Sequence, residues 1–177
     1  MMSPSDHPVR VRDVALLAAF ALFLSTIEYV IPKPLPYMRI GLANLAIMIG
    51  IGCLTMKEYS LLVILKILGQ GVLHGTLFSY IFLFSLGGSL SSAVVMLLLY
   101  RSLRNRVSMV GISIAGAFVS NIVQILLARM LLFGQAAWLI APPFLITGLA
   151  ASLLLGFFAQ GFMERSRWIA SRMPGSS

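Results

Sequence analysis

Six apolar runs, separated by short stretches that hold nearly all the charge, leave this chain little choice of fold. The runs cover residues 14–31, 40–54, 59–73, 77–100, 107–133 and 144–163. About 20 mostly apolar residues in an α-helix cross the ~30 Å hydrocarbon core of a bilayer. A helix satisfies its own backbone donors and acceptors, which lipid cannot do. The expected fold is an all-α integral membrane protein, a compact bundle of about six transmembrane helices. Its parts are an N-terminal segment at 1–13, a six-helix domain at 14–163 and a basic tail at 164–177. Of 177 residues, 59% are hydrophobic and 10% charged, where soluble domains carry about 25% charged residues. Mean hydropathy is +0.98. Six crossings use up the length, so no room remains for a soluble catalytic domain.

The breaks between runs set the topology. Pro32, Pro34 and Pro36 remove donors and force an extended path. Lys57 and Glu58 mark a polar turn, and Arg101, Arg104 and Arg106 form a basic loop. Residues 134–143 carry no charge and end in Pro142-Pro143. Lys and Arg gather in cytoplasmic loops. With the N-terminus inside, the inner segments hold Arg10, Arg12, Lys57, Arg101, Arg104, Arg106, Arg165, Arg167 and Arg172. The outer segments hold only Lys33 and Arg39. Both ends are therefore expected in the cytoplasm. Arg10 and Arg12 ahead of 14–25 also look like the start of a signal peptide. The apolar stretch runs on to about Ile31 with no clear small-x-small site, so an uncleaved first helix is expected. The net charge of +8 then belongs to loops facing anionic lipid, not to a nucleic-acid surface. Cys53 is the only cysteine, so neither an intramolecular disulfide nor a Cys-based metal site is available.

Ionisable groups within lipid cost about 2.5–3.5 kcal/mol each on insertion scales, and usually face the bundle interior or a wet cavity. The set here is Glu28, Lys33, Arg39, Lys66, His74 and Arg129, with the amides Asn44, Gln70, Asn121 and Gln124. The topology gathers them toward the outer side. Lys66, Gln70 and His74 follow at i+4 steps and form one stripe. Asn121, Gln124 and Ala128 share a face, with Arg129 near the outer end of the same run. A polar cavity open to the outside would collect them all. Lys33, Arg39, Lys66 and Arg129 outnumber the single acid Glu28, which favours a small anionic substrate. Most members also have a plainer role. Lys33 can be a solvated loop charge, Glu28 an ion-pair partner of Lys33 or Arg39, and Arg129 a side chain snorkelling to headgroups. His74 can be a satisfied polar residue, and Asn121 and Gln124 interhelical glue. Lys66 is the hardest to explain away. The Pro-rich stretch at 32–39 is either a rigid connector or a pocket wall that presents Tyr37 and Arg39.

Small residues recur four apart at Ala15/Ala19, Gly71/Gly75, Gly111/Ala115 and Gly148/Ser152/Gly156. Such spacing lets helix backbones approach closely. Packing within the bundle and docking to another membrane protein both account for it.

The missing residues narrow the chemistry. Asp6, Asp13, Glu28, Glu58 and Glu164 are the only acids. They cannot supply the facing carboxylates that Mg²⁺-diphosphate chemistry needs. No Gly-x-x-x-x-Gly-Lys-Ser/Thr loop is present, and neither histidine has a plausible acid for a Ser-His-acid triad. No enzyme, cofactor or metal site is expected.

The run Pro32…Pro36-x-x-Arg39-x-Gly41-Leu-Ala-Asn44 resembles a known family. So do Gly75-Thr-Leu-Phe-Ser79, Ser85-Leu-Gly-Gly88 and Ser113-Ile-Ala-Gly-Ala117-x-x-x-Asn121-x-x-Gln124. Together, over about 14–160, they resemble the Gx transporter family, also labelled heptaprenyl diphosphate synthase component I. That family is similar to the substrate-binding S components of energy-coupling factor transporters, small six-helix proteins of the bacterial cytoplasmic membrane. The resemblance implies capture of a small molecule from outside, then association with a transmembrane coupling protein and two ATPases. It implies ligand-facing roles for Arg39, Asn44, Asn121 and Gln124, and a partner-docking role for Ala15 and Ala19. The family pattern has His before the Asn of the fifth run, where this chain has Ser120, which implies a different substrate if that His binds ligand. The synthase label implies an alternative, a membrane accessory subunit for isoprenoid synthesis. A stand-alone secondary transporter is a third reading, against which the weak internal repetition argues.

Overall fold

The computed structural model describes residues 11–31, 41–103 and 106–165. Among them the fold is all-helical, in the order α1 (Val11–Val30), α2 (Asn44–Cys53), α3 (Met56–Leu73), α4 (Tyr80–Leu103), α5 (Met109–Ala128) and α6 (Ala137–Arg165). A π-helical turn (Arg129–Phe133) and a 3-10 turn (Gly134–Ala136) join α5 to α6. Three continuous helical stretches are long and apolar enough to cross a membrane, Val11–Val30, Tyr80–Leu103 and Met109–Arg165, the last holding both α5 and α6.

The packing is polar inside and apolar outside. Leu139, Leu154, Phe157 and Phe158 lie largely exposed, while Lys66, Gln70, Ser85, Asn121 and Gln124 are buried. Water would penalise this arrangement and hydrocarbon favours it.

The second run does not form a spanning helix. α2 has 10 residues, about 15 Å at 1.5 Å per residue, half the thickness of a hydrocarbon core. Gly41 at φ +90° turns the chain just ahead of it. Every residue from Leu45 to Gly52 is buried, and α2 packs against α1, α3, α4 and α6. Its apolar sequence reflects contact with protein on all sides, which reads like a span in composition alone.

Other boundaries also move. The α3 start is set by a capping box, in which Glu58 accepts from the Thr55 amide at 2.8 Å. α3 ends at Leu73, and Gly75 at φ +63° turns the chain into α4. α6 begins at Ala137, well before 144, and runs through Pro142 and Pro143. The prolines fall in its second turn, close to the N-terminal groups that lack intrahelical partners in any case.

The stripe Gly148/Ser152/Gly156 packs α6 against α5. Ser113 Oγ donates to the Ser152 carbonyl at 2.8 Å. A Cβ at Gly156 would lie 2.7 Å from Val110 Cα, and backbone cannot step aside. Gly156→Ala is therefore expected to lower stability by about 1–3 kcal/mol, the usual cost of overpacking, read as a fall in melting temperature. Gly75 lies beyond the end of α3, so it does not share a helix face with Gly71. Ala15 and Ala19 are exposed on α1.

Candidate functional site

α2 and α3 form an antiparallel hairpin about the turn at Leu54 and Thr55. About ten residues up each arm, some 15 Å from the turn, Asn44 and Lys66 come level. Lys66 Nζ donates to Asn44 Oδ1, and to Ser89 Oγ of α4 at 3.4 Å. One turn further along α3, Gln70 Nε2 donates to Ser25 Oγ of α1 at 2.7 Å. Lys66 is 2% exposed. A cation at this depth is tolerated because oxygen ligands replace its hydration.

Glu28, near the end of α1, faces the start of α2. Its Oε2 accepts from the amides of Gly41 at 3.1 Å and Leu42 at 2.8 Å. These amides lead into α2, where the helix dipole favours negative charge. The carboxylate thereby ties α1 to the half-length helix.

These groups line a small polar cavity of about 30 Å³ that opens at one side. α1 contributes Glu28, and the approach to α2 contributes Gly41, Ala43 and Asn44. α3 contributes Lys66 and Gln70, α4 Ser89, α5 Ala117, Ser120 and Asn121, and α6 Gly148. All six helices thus reach the cavity, α1 to α5 with side chains and α6 with Gly148, and α2 begins there at Asn44. Such a half-length helix ending at mid-depth in a polar site is a recurrent way to build a solute site within a membrane.

The α5 wall has an unusual hydrogen-bond balance. Asn121 is 4% exposed, and its Nδ2 has no acceptor. Gln124 Nε2 donates to Ser120 Oγ at 3.0 Å, while Gln124 Oε1 has no donor. Ser85 Oγ on α4 is also unpartnered. An unmet buried polar group costs about 1–3 kcal/mol, and three in one bundle call for an explanation. Glycines make the room these amides occupy. A Cβ at Gly148 would collide with Asn121 Nδ2, and one at Gly88 with Gln124 Nε2 and, at 2.8 Å, Ser120 Oγ.

The cavity gathers Glu28, Asn44, Lys66, Gln70 and Asn121 from the expected set, with Gln124 one turn beyond its lining. Two expected members lie elsewhere. α3 ends at Leu73, so the stripe stops short, and His74 stacks on Tyr29 with ring centroids 4.4 Å apart. Arg129 is exposed, with its guanidinium 5.6 Å from the Trp138 ring. It follows the buried Ala128 by one residue, about 100° round the helix, and faces outward. Lys33, Tyr37 and Arg39 lie outside the described residues. Among the described residues the cavity pairs one cation, Lys66, with one carboxylate, Glu28, so charge alone no longer singles out an anion. Ser89 and Gly148 were not expected in the lining, and Ser120 was marked only as the place where the family pattern has a His. Ser89 follows the Ser85-Leu-Gly-Gly88 motif, but serine is too common in apolar helices to signal a site by itself. Arg129→Gln is expected to leave solute binding within about twofold of wild type, as surface changes away from a site usually do, measured by equilibrium binding. Among the described residues no three His, Cys, Asp or Glu side chains approach closely enough to hold a metal.

Fold and site together define a helical membrane protein whose polar cavity is buried among apolar helices. Residues 17–162 match the family model described as heptaprenyl diphosphate synthase component I. The chain belongs to that family, the Gx transporter family. Neither a curated protein nor a solved structure matches it.

Proposed function

We propose that the protein is the substrate-binding membrane subunit of an energy-coupling factor type uptake transporter in a bacterial cytoplasmic membrane. It crosses the membrane several times with both ends inside, and it captures a small polar molecule from outside. The observation that carries this reading is the Lys66 cavity, a polar site with unmet hydrogen-bonding groups at the centre of an apolar bundle. Glu28 and Gln70 hold α1, α2 and α3 around it, and Lys66 links α2, α3 and α4. The chain has no nucleotide-binding loop. In this reading the energy for release inward comes from partners, a transmembrane coupling protein and ATPases, with the exposed Ala15/Ala19 face of α1 as the docking surface. No catalysis is assigned to this subunit.

The test is native mass spectrometry of the protein released from its own membranes, together with solute uptake by cells that carry or lack it. A retained small solute, accumulated only by cells with the protein, is the expected result. A protein that emerges empty, from cells whose uptake does not depend on it, would contradict the reading.

The family description favours a second reading, an accessory component beside a prenyl diphosphate synthase. It requires a soluble partner, because Mg²⁺-diphosphate chemistry needs clustered carboxylates. Co-purification with an Asp-rich prenyl synthase, and a rise in its activity when both are present, would favour this reading over the first.

A further inference from the structure

We propose that Ser120 and Asn121 form a paired donor site on α5 for a carbonyl or carboxylate oxygen of the captured solute. The inference rests on the solute-binding reading above and adds the chemistry of the bound group.

Two observations meet at this wall of the cavity. Asn121 lines it at 4% exposure, and its Nδ2 has no acceptor in the protein. Buried amide donors are nearly always paired, so the missing partner is an oxygen from outside the chain. Ser120 lines the same wall. Its Oγ already accepts from Gln124 Nε2 at 3.0 Å, which leaves the hydroxyl proton to be donated. Two neighbouring donors lining one wall of the cavity match the lone pairs of a C=O or carboxylate oxygen. A hydroxyl meets them less well and an ammonium group not at all. Gln124 is a positioning residue here, because it fixes Ser120 as the donor. Gly148 and Gly88 leave the room in which Asn121 and Gln124 sit.

A structural amide and a ligand amide predict opposite behaviour for Asn121→Leu. Leucine has the same branched heavy-atom skeleton as asparagine, with bulkier methyl ends and no polar atoms. If Asn121 were glue between helices, the change would break a bond and lower the melting temperature. With no partner to lose, Asn121→Leu instead removes an unmet donor and holds or raises the melting temperature. Binding should fall about tenfold or more, the worth of one hydrogen bond to a charged or strongly polar group.

The experiment uses the full chain in detergent and a defined mixture of small carboxylic acids and carboxamides with the matching alcohols and amines, which lack the C=O group. Retention is read by native mass spectrometry, and the solute recovered from the native membrane is identified in parallel. Wild type is expected to retain members with a carbonyl or carboxylate oxygen. Asn121→Leu should retain about tenfold less at an undiminished melting temperature, and Ser120→Ala about three- to tenfold less. Equal retention of the alcohols or amines would overturn the assignment, as would unchanged retention in both variants, and solute binding itself would still stand. If wild type retains no member of the mixture and yields no native solute, the solute-binding reading fails with it.

Discussion

Lys66→Met is expected to give a folded protein that no longer holds its solute. Methionine keeps the length and apolar stem of lysine and removes the charge. Replacing a buried charge by an apolar side chain of similar volume is often neutral or stabilising, because the desolvation penalty disappears with it. Against that, Asn44 Oδ1 and Ser89 Oγ each lose a donor, at about 1–3 kcal/mol apiece when left unmet. Both line the cavity, where water can replace the ammonium, so the lower end of that range applies. The fold should survive with a melting temperature shifted by a few degrees. Binding should not survive. Hydrogen bonds to charged groups contribute about 1.5–3 kcal/mol, or roughly 10- to 100-fold in affinity. If Lys66 were only a structural tie among α2, α3 and α4, the pattern would reverse, with a large fall in melting temperature and binding retained per folded molecule. Equilibrium binding and thermal unfolding on the same sample distinguish the two.

Gly148→Ala should separate binding from folding in a second way. The new Cβ would collide with the Asn121 amide, the far end of a side chain that can swing aside. The fold then loses about 1 kcal/mol, at the low end of overpacking costs. The displaced amide no longer points as the cavity requires, and affinity should fall about tenfold or more, since misplaced groups lose most of a directional hydrogen bond. Gly156→Ala, two turns along the same stripe, meets the α5 backbone instead. It should lower stability while leaving the affinity of the folded fraction intact. Two chemically identical changes on one helix face thus have opposite signatures. Equal effects of both on binding would show that α6 packing, not Asn121, sets the site.

Much of this arrangement was legible in the residues. The apolar runs fixed a helical membrane bundle, and the cost of charge in lipid pointed to Lys66 and then to Asn44, Gln70, Glu28 and Asn121 as its neighbours. What escaped did so for identifiable reasons. Residues 45–52 are apolar because protein buries α2 on every side, and composition does not distinguish that from burial in lipid. Pro142 and Pro143 read as a stop, but prolines near a helix start cost little. Arg129 and His74 were placed by their distance along a helix. At His74 the helix has already ended, and at Arg129 one residue of rotation past Ala128 turns the side chain outward. With Arg129 outside the cavity, the excess of cations that favoured an anion falls to Lys66 beside Glu28 among the described residues. The oxygen-acceptor chemistry now proposed comes from unmet hydrogen bonds, which only coordinates reveal.

On the proposed function, water and solute reach the Lys66 layer from the outer side of the membrane. Ala117 lines the cavity and is half-buried there, whereas Leu154 is largely exposed on the apolar exterior. With Cys53 replaced by Ser, cysteines placed at 117 and 154 can be challenged on intact cells with a small, membrane-impermeant thiol reagent. Thiol modification needs the thiolate, which forms in water and not in hydrocarbon. Rapid labelling at 117 from outside, slowed by bound solute, with none at 154, is the predicted result. Labelling at 154 but not at 117, or labelling at 117 only from the cytoplasmic side, would contradict it.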